Sequence, residues 1–259
     1  MNDRRCGNHV NGAVPAPLSV GKVVMGAFLV PWWNRRAFAR ALAVPLVSLA
    51  VLTLSWYYAN EFLPNFVKWL LYVLYGLLFA LFAVTCHRLL LLGSESVATP
   101  LAPRWSWRES RFFAWMVLVS FICMAAWFLF LNAISIPLFN VFKPSPGHSQ
   151  PWIEWLIEAT KIPVFYIFAR LCLVFPATAI DNKPDLKWTW DLTRGNGWRL
   201  VVVVGVLPWV ISGLVSLFYR ENATVFETII LSVLGIALFA VEIAALSLSY
   251  RELTKERDA

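Results

Sequence analysis

Six long apolar segments divide the basic residues of this 259-residue chain unequally between their two ends. The segments cover about residues 41–58, 67–92, 112–134, 155–180, 200–219 and 225–249. Each approaches the roughly 20 residues that a helix needs to cross a bilayer. Of the 22 Lys and Arg residues, the resulting topology places only four on one side: Lys68, Lys143, Lys161 and Arg220. The other 18 share the opposite side: Arg4, Arg5, Lys22, Arg35, Arg36, Arg40, Arg88, Arg104, Arg108, Arg111, Arg170, Lys183, Lys187, Arg194, Arg199, Arg251, Lys255 and Arg257. Because basic residues in short loops stay in the cytoplasm, we predict a polytopic membrane protein with both termini cytoplasmic.

Composition supports this class and argues against a soluble domain. The chain is 59% hydrophobic and 14% charged, and its mean hydropathy is +0.66. Soluble proteins are about a quarter charged. A net charge of +7 would suggest nucleic acid as the partner of a soluble protein, but here the basic residues flank the spans, where they set topology and meet anionic headgroups. We therefore predict an all-α fold in contact with the lipid bilayer and with no nucleic-acid partner.

The regions outside the spans are short. We expect residues 1–17 to form a disordered cytoplasmic tail, residues 18–252 a single transmembrane domain and residues 253–259 a second cytoplasmic tail. Residues 18–30 are apolar but too short to cross a bilayer, so they predict an interfacial helix that ends at Pro31.

Prolines and a capping motif predict where helices are interrupted or begin. Ser106 and Glu109 have the spacing of a capping box, which predicts a helix start leading into the third span. Residues 137–151 predict the longest outer loop. Breaks are expected within the fourth and fifth spans, at Pro163, Pro176, Gly205 and Pro208.

A short sequence pattern recurs in the chain. Arg104-Trp105-Ser106-Trp107, with Arg111, returns 83 positions later as Lys187-Trp188-Thr189-Trp190, with Arg194. One interpretation is a duplicated two-span unit, in which Trp105 and Trp188 take equivalent places. The other is that Trp and basic residues recur at any membrane interface.

Arg170 and Glu242 are the charged residues placed deepest inside the spans. Arg170 lies 11 positions before Asp181 and Glu242 nine before Arg251. Helix rise then puts both roughly 14–16 Å from the inner boundary. A lone charge at that depth costs at least about 2.5–3.5 kcal/mol, so the equal depths predict a mutual pair. A structural ion pair, a substrate or proton site, and no contact all remain open.

Ten interfacial residues, which we name the inner collar, combine indole rings with basic side chains. They are Arg104, Trp105, Trp107, Arg108, Lys187, Trp188, Trp190, Arg194, Trp198 and Arg199. Indole rings favour the headgroup region while basic side chains reach phosphates. The collar is therefore interpreted either as a membrane anchor or as a surface that binds anionic lipid or a membrane protein partner.

No pattern in the sequence indicates catalysis or metal binding. His9, His87 and His148 fall in different compartments, and the four cysteines have no CxxC spacing. The chain contains no GxSxG, HExxH, Walker A or GxGxxG motif. We therefore expect no metal, no cofactor and no enzymatic activity.

The segment from Arg170 to Arg199 carries a family resemblance. A proline-containing apolar run ends at Asp181, and an amphipathic stretch follows with the pattern S/T-W-x-L-T-x-G-N-x-W-R. Its positions are Thr189, Trp190, Leu192, Thr193, Gly195, Asn196, Trp198 and Arg199. This segment resembles the YciC-like six-span bacterial membrane proteins, related to the membrane domain of some glycerophosphodiester phosphodiesterases. The resemblance implies a bacterial inner-membrane location. It does not extend to phosphodiesterase activity, because the chain has no catalytic barrel.

Two functions fit these observations. The first is an accessory or scaffold protein that contacts lipid or a partner through the inner collar, with a tightly packed core. The second is a small transporter or permease with a midplane site around Arg170 and Glu242, lined by the interrupted spans and predicted to be a water-filled cavity. The scarcity of polar residues within the spans favours the accessory protein.

Overall fold

The computed structural model describes residues 17–59, 62–96, 105–142, 158–218 and 224–255. Within these ranges the chain is helical and has no strand. The helices are α1 (Val20–Trp33), α2 (Arg35–Ala59), α3 (Asn65–Leu92), α4 (Trp107–Phe142), α5 (Lys161–Leu171), α6 (Val174–Ala179), α7 (Leu186–Leu192), α8 (Gly197–Val201), α9 (Leu207–Ser216) and α10 (Val225–Lys255). A 3₁₀ turn, Ser94–Ser96, follows α3, and a π turn, Val202–Val206, joins α8 to α9.

In the part of the chain that the structure describes, six helical segments are long and apolar enough to cross a membrane, which confirms the all-α polytopic fold. They are Arg35–Trp56, Asn65–Leu92, Trp107–Ile134, Lys161–Ala179, Gly197–Ser216 and Phe226–Lys255. The fourth combines α5 and α6, and the fifth combines α8, the π turn and α9. Helix α1 is apolar but shorter.

Helix α10 and the α5–α6 span form the centre of the bundle. α10 packs against α1, α2, α3 and α9, and α5 packs against α4 and α8. In the most apolar window of the α5–α6 span 61% of the residues are buried, against 6% for the α4 span. The α4 span is therefore peripheral and presents most of its surface outward.

The interruptions expected at prolines fall just before them. The helix is broken at Thr160 ahead of Pro163, and at Cys172 and Leu173 ahead of Pro176. Proline has no N–H for the carbonyl four positions earlier, and its ring crowds that carbonyl. The fifth span widens into the π turn before Pro208 for the same reason.

Two helix ends differ from the expectations. α1 continues past Pro31 to Trp33, and α4 runs through Pro137 to Phe142, so the expected outer loop does not begin at Pro137. A proline removes one backbone hydrogen bond from a helix, and membrane helices tolerate that loss, so a proline alone does not decide whether the helix ends there. The rest of the predicted loop, residues 143–151, lies outside the described residues, as does most of each predicted tail.

The capping box is confirmed at the start of α4. The Ser106 N–H donates to Glu109 Oε2 at 2.8 Å, and the Arg108 N–H donates to Ser106 Oγ at 3.3 Å. The second copy of the repeat is different, because Asp185 caps α7 by accepting the Trp188 N–H at 2.6 Å. Thr189, the counterpart of Ser106, therefore lies inside a helix. The prediction that Trp105 and Trp188 take equivalent places is therefore wrong at the level of local structure, because Trp105 precedes α4 and Trp188 lies within α7. The duplication of a two-span unit stays a prediction.

Candidate functional site

Arg170 fastens α7 to α5. Its Nη1 and Nη2 donate to the backbone oxygens of Thr193 and Trp190, both at 2.7 Å. The guanidinium carbon lies 4.3 Å from the centroid of the Trp190 ring, which adds a cation–π contact. Thr193 Oγ1 lies 3.4 Å from the Arg170 carbonyl, but its nearest acceptor is the Thr189 carbonyl at 2.8 Å. The guanidinium of Arg170 is thus bonded to backbone carbonyls at the C-terminal end of α7.

The predicted Arg170–Glu242 ion pair is not found among the described residues, in which neither side chain bonds to the other. The reason is that the backbone carbonyls of Trp190 and Thr193 accept hydrogen bonds from the Arg170 guanidinium instead. Helix rise gives the depth of a residue but not the direction of its side chain. Of the two charged residues predicted to form a midplane site, only Glu242 therefore remains a candidate.

Glu242 lines an aromatic cavity of about 320 Å³ between the spans. The cavity wall contains side chains from α3, α4, α5, α6, the π turn, α9 and α10. They are Phe79, Ala83, His87, Phe112, Met116, Val119, Ser120, Cys123, Phe168, Phe175, Val204, Pro208, Phe239, Glu242, Ile243 and Leu246. The Glu242 carboxyl has no hydrogen bond or ion pair to any residue that the structure describes. It faces the open volume of a mostly apolar cavity.

The cavity also contains a histidine that is bonded to a serine of another helix. His87 Nδ1 lies 2.7 Å from Ser247 Oγ, and both side chains are buried. Ser247 Oγ also lies 2.9 Å from the Ile243 carbonyl. The single hydroxyl hydrogen goes either to that carbonyl, with Nδ1 donating to Oγ, or to Nδ1 itself. This pair could not be predicted from local sequence, because the two residues are 160 positions apart.

The inner collar is only partly exposed. Trp107 and Trp198 are 78% and 62% exposed, and Trp105 and Trp190 are about two-fifths exposed. Lys187, Arg194 and Arg199 also reach the surface, whereas Trp188 lies against Tyr250 with ring centroids 6.3 Å apart. Arg104 is outside the described residues. The collar thus has exposed indole rings and basic side chains, while Trp188 packs against the rest of the protein.

Asp181 links α3 and α4 to the segment that follows α6. It stands in a left-handed conformation, with φ 66°, two residues after the end of α6. Its Oδ2 accepts from Arg88 of α3 at 3.0 Å and from Arg108 of α4 at 3.2 Å. Arg108 also donates to Glu109 Oε1 at 2.9 Å. The carboxylates of Asp181 and Glu109 are therefore both occupied, by neighbouring arginines and, for Glu109, by the helix cap.

The segment that carries the family resemblance has internal roles as well. Thr189, Leu192, Thr193 and Asn196 are buried, and Gly195 takes the positive φ of 78° that glycine adopts without strain. Asn196 Oδ1 accepts the Leu18 N–H at 2.7 Å, and Arg199 Nη1 donates to the Leu18 carbonyl at 3.2 Å. Much of the pattern therefore holds α1, α5 and α7 together.

No group of three or more His, Cys, Asp or Glu side chains suited to a metal occurs within the described ranges. No family model, curated protein or solved structure matches the chain. The site is therefore interpreted from its own geometry, in which the aromatic cavity beside Glu242 is the strongest candidate.

Proposed function

We propose that this protein is a small, non-enzymatic transporter whose binding site is the aromatic cavity beside Glu242. The supporting observation is the position of the cavity at both interrupted spans. Phe175 follows the break between α5 and α6, and Val204 belongs to the π turn of the fifth span. Irregular turns inside membrane helices occur where backbone is buried in protein or lines a cavity, and π turns often mark functional sites.

Size and lining indicate an apolar or amphipathic ligand. A dry cavity of roughly 150 Å³ can hold benzene. The cavity here is about 320 Å³ and is lined mainly by aromatic and aliphatic side chains. A ring with a short substituent therefore fits, whereas a strongly hydrated solute would lose its water without replacement hydrogen bonds.

Cys123 provides an intrinsic reporter of binding because it lines the cavity. In a Cys6→Ser background, a small thiol reagent should label Cys123 in detergent, and tert-butylbenzene should slow the labelling several-fold. The other two cysteines, Cys86 and Cys172, are fully buried and should react far more slowly. The matched control is a Cys123→Ser, Phe121→Cys protein, because Phe121 lies on the same helix and is exposed outside the cavity. Equal labelling of Cys123 with and without the ligand would contradict the proposal.

A second candidate is an accessory protein that docks on anionic lipid through the inner collar. Its support is the exposure of Trp107 and Trp198 beside surface cations. The distribution of Lys and Arg supports cytoplasmic termini and a cytoplasmic position of this collar. The resemblance to YciC-like proteins supports the bacterial inner membrane.

Cysteine labelling also tests this placement. With Cys6→Ser, a Lys187→Cys protein should react with a membrane-impermeant maleimide in inverted vesicles and not in intact spheroplasts. In reconstituted vesicles, replacing neutral lipid with anionic lipid should slow the reaction, because headgroups would cover the collar. Labelling from the outer side would overturn the topology, and labelling indifferent to lipid charge would overturn the lipid contact.

A further inference from the structure

Among the residues that the structure describes, the carboxyl of Glu242 has no countercharge in the aromatic cavity. None of the described Lys and Arg residues lines the cavity, and the nearest candidate by depth, Arg170, is bonded to backbone oxygens elsewhere. The other polar lining groups are His87, Ser120 and Cys123. His87 already directs Nδ1 to Ser247. An ionised carboxylate in such surroundings is costly unless a cation or a proton joins it.

The lining also decides which kind of cation fits. An alkali or alkaline-earth ion needs about six oxygen ligands, which the lining does not supply. Phenyl rings do line the cavity: Phe79, Phe112, Phe168, Phe175 and Phe239. Phe79 and Phe239 pack with centroids 4.4 Å apart, and Phe112 and Phe175 with centroids 5.4 Å apart. Aromatic faces attract organic ammonium groups, whose charge is spread over apolar substituents.

From the carboxyl and the rings together, we infer that the ligand of this cavity is an apolar organic cation, with Glu242 as its countercharge. The inference rests on the proposed function, since it names the ligand class of the same cavity. Phenyl rings would surround the apolar substituents, and the carboxylate would face the cationic centre. A proton on Glu242 is the competing occupant, and it would give a cation no advantage over a neutral molecule.

A matched ligand pair separates these occupants. Phenyltrimethylammonium and tert-butylbenzene have nearly the same shape and differ in charge. In the Cys6→Ser protein, phenyltrimethylammonium should protect Cys123 at concentrations about tenfold or more below those of tert-butylbenzene, after correction for partition into detergent. Glu242→Gln should abolish that preference and leave protection by tert-butylbenzene in place.

Two further variants keep the result interpretable. Glu242→Asp retains the charge and should keep a preference for the cation. Glu227→Gln, which removes a carboxyl from the same helix outside the cavity, should behave as the parent protein. Protection by the neutral compound alone, or a cation preference that survives Glu242→Gln, would overturn the cation inference and leave the binding cavity standing. Protection by neither compound would remove the proposed function and the inference with it.

Discussion

Arg170→Ala is expected to destabilise the protein by about 3 kcal/mol or more, because it removes two charge-assisted hydrogen bonds that α7 needs. For a chain of this size the loss corresponds to a fall of roughly 6–12 °C in the apparent melting temperature in detergent. Arg170→Lys should recover only part of the loss, since one ammonium group lacks the planar fork that reaches two carbonyls.

Arg194→Ala is the matched control, because Arg194 is an exposed arginine two residues after α7. Its removal should shift melting little. Glu242→Ala tests the abandoned ion pair. The effects of Arg170→Ala and Glu242→Ala should add in the double variant, since the two side chains have different partners. A double variant more stable than the Arg170→Ala protein would restore the pair.

Gly197→Ala is expected to destabilise the protein by about 1–3 kcal/mol through overpacking. A Cβ at this position would lie 2.9 Å from Tyr166 Cε2 and 3.2 Å from Arg170 Cδ. The Tyr166 ring cannot easily move away, because it packs against Trp198 with centroids 5.0 Å apart. The measurement is again thermal unfolding in detergent.

Gly213→Ala should have the opposite effect. A Cβ there meets no atom within 4 Å, and Gly213 lies inside α9. Alanine in a helix interior is more favourable than glycine by about 0.5–1 kcal/mol. If both substitutions lowered the melting temperature equally, close packing at Gly197 would not be the cause.

Features carried by local sequence were predictable. The six apolar segments, the Ser106–Glu109 cap and the interruptions before Pro163 and Pro176 each depend on residues close together in the chain. The persistence of α4 through Pro137 was not predicted, because proline is a helix-breaking signal in sequence, whereas a membrane helix tolerates the loss of the one backbone hydrogen bond that proline removes.

Features that depend on helix rotation were not predictable. The sequence identified Glu242 as important but assigned it the wrong partner, since depth along a span does not reveal which neighbours a side chain faces. The aromatic cavity brings together His87 of α3, Phe175 of α6 and Glu242 of α10, which no local pattern links. The inner collar was identified by composition, yet the bonds of Arg170 to its backbone appeared only in three dimensions.

The attachment of α1 has a consequence for the order of biogenesis. The Ser19 N–H donates to Glu252 Oε1 at 3.2 Å across 233 positions, and Leu18 bonds to Asn196 across 178. Since α1 also packs along α10, its final docking site does not exist until α10 has been synthesised and inserted. Helix α1 leaves the ribosome well before α10 and must therefore remain undocked until α10 is made. Contacts between residues so far apart in sequence slow assembly, and a chain whose synthesis stops before α10 would keep α1 without its packing partner.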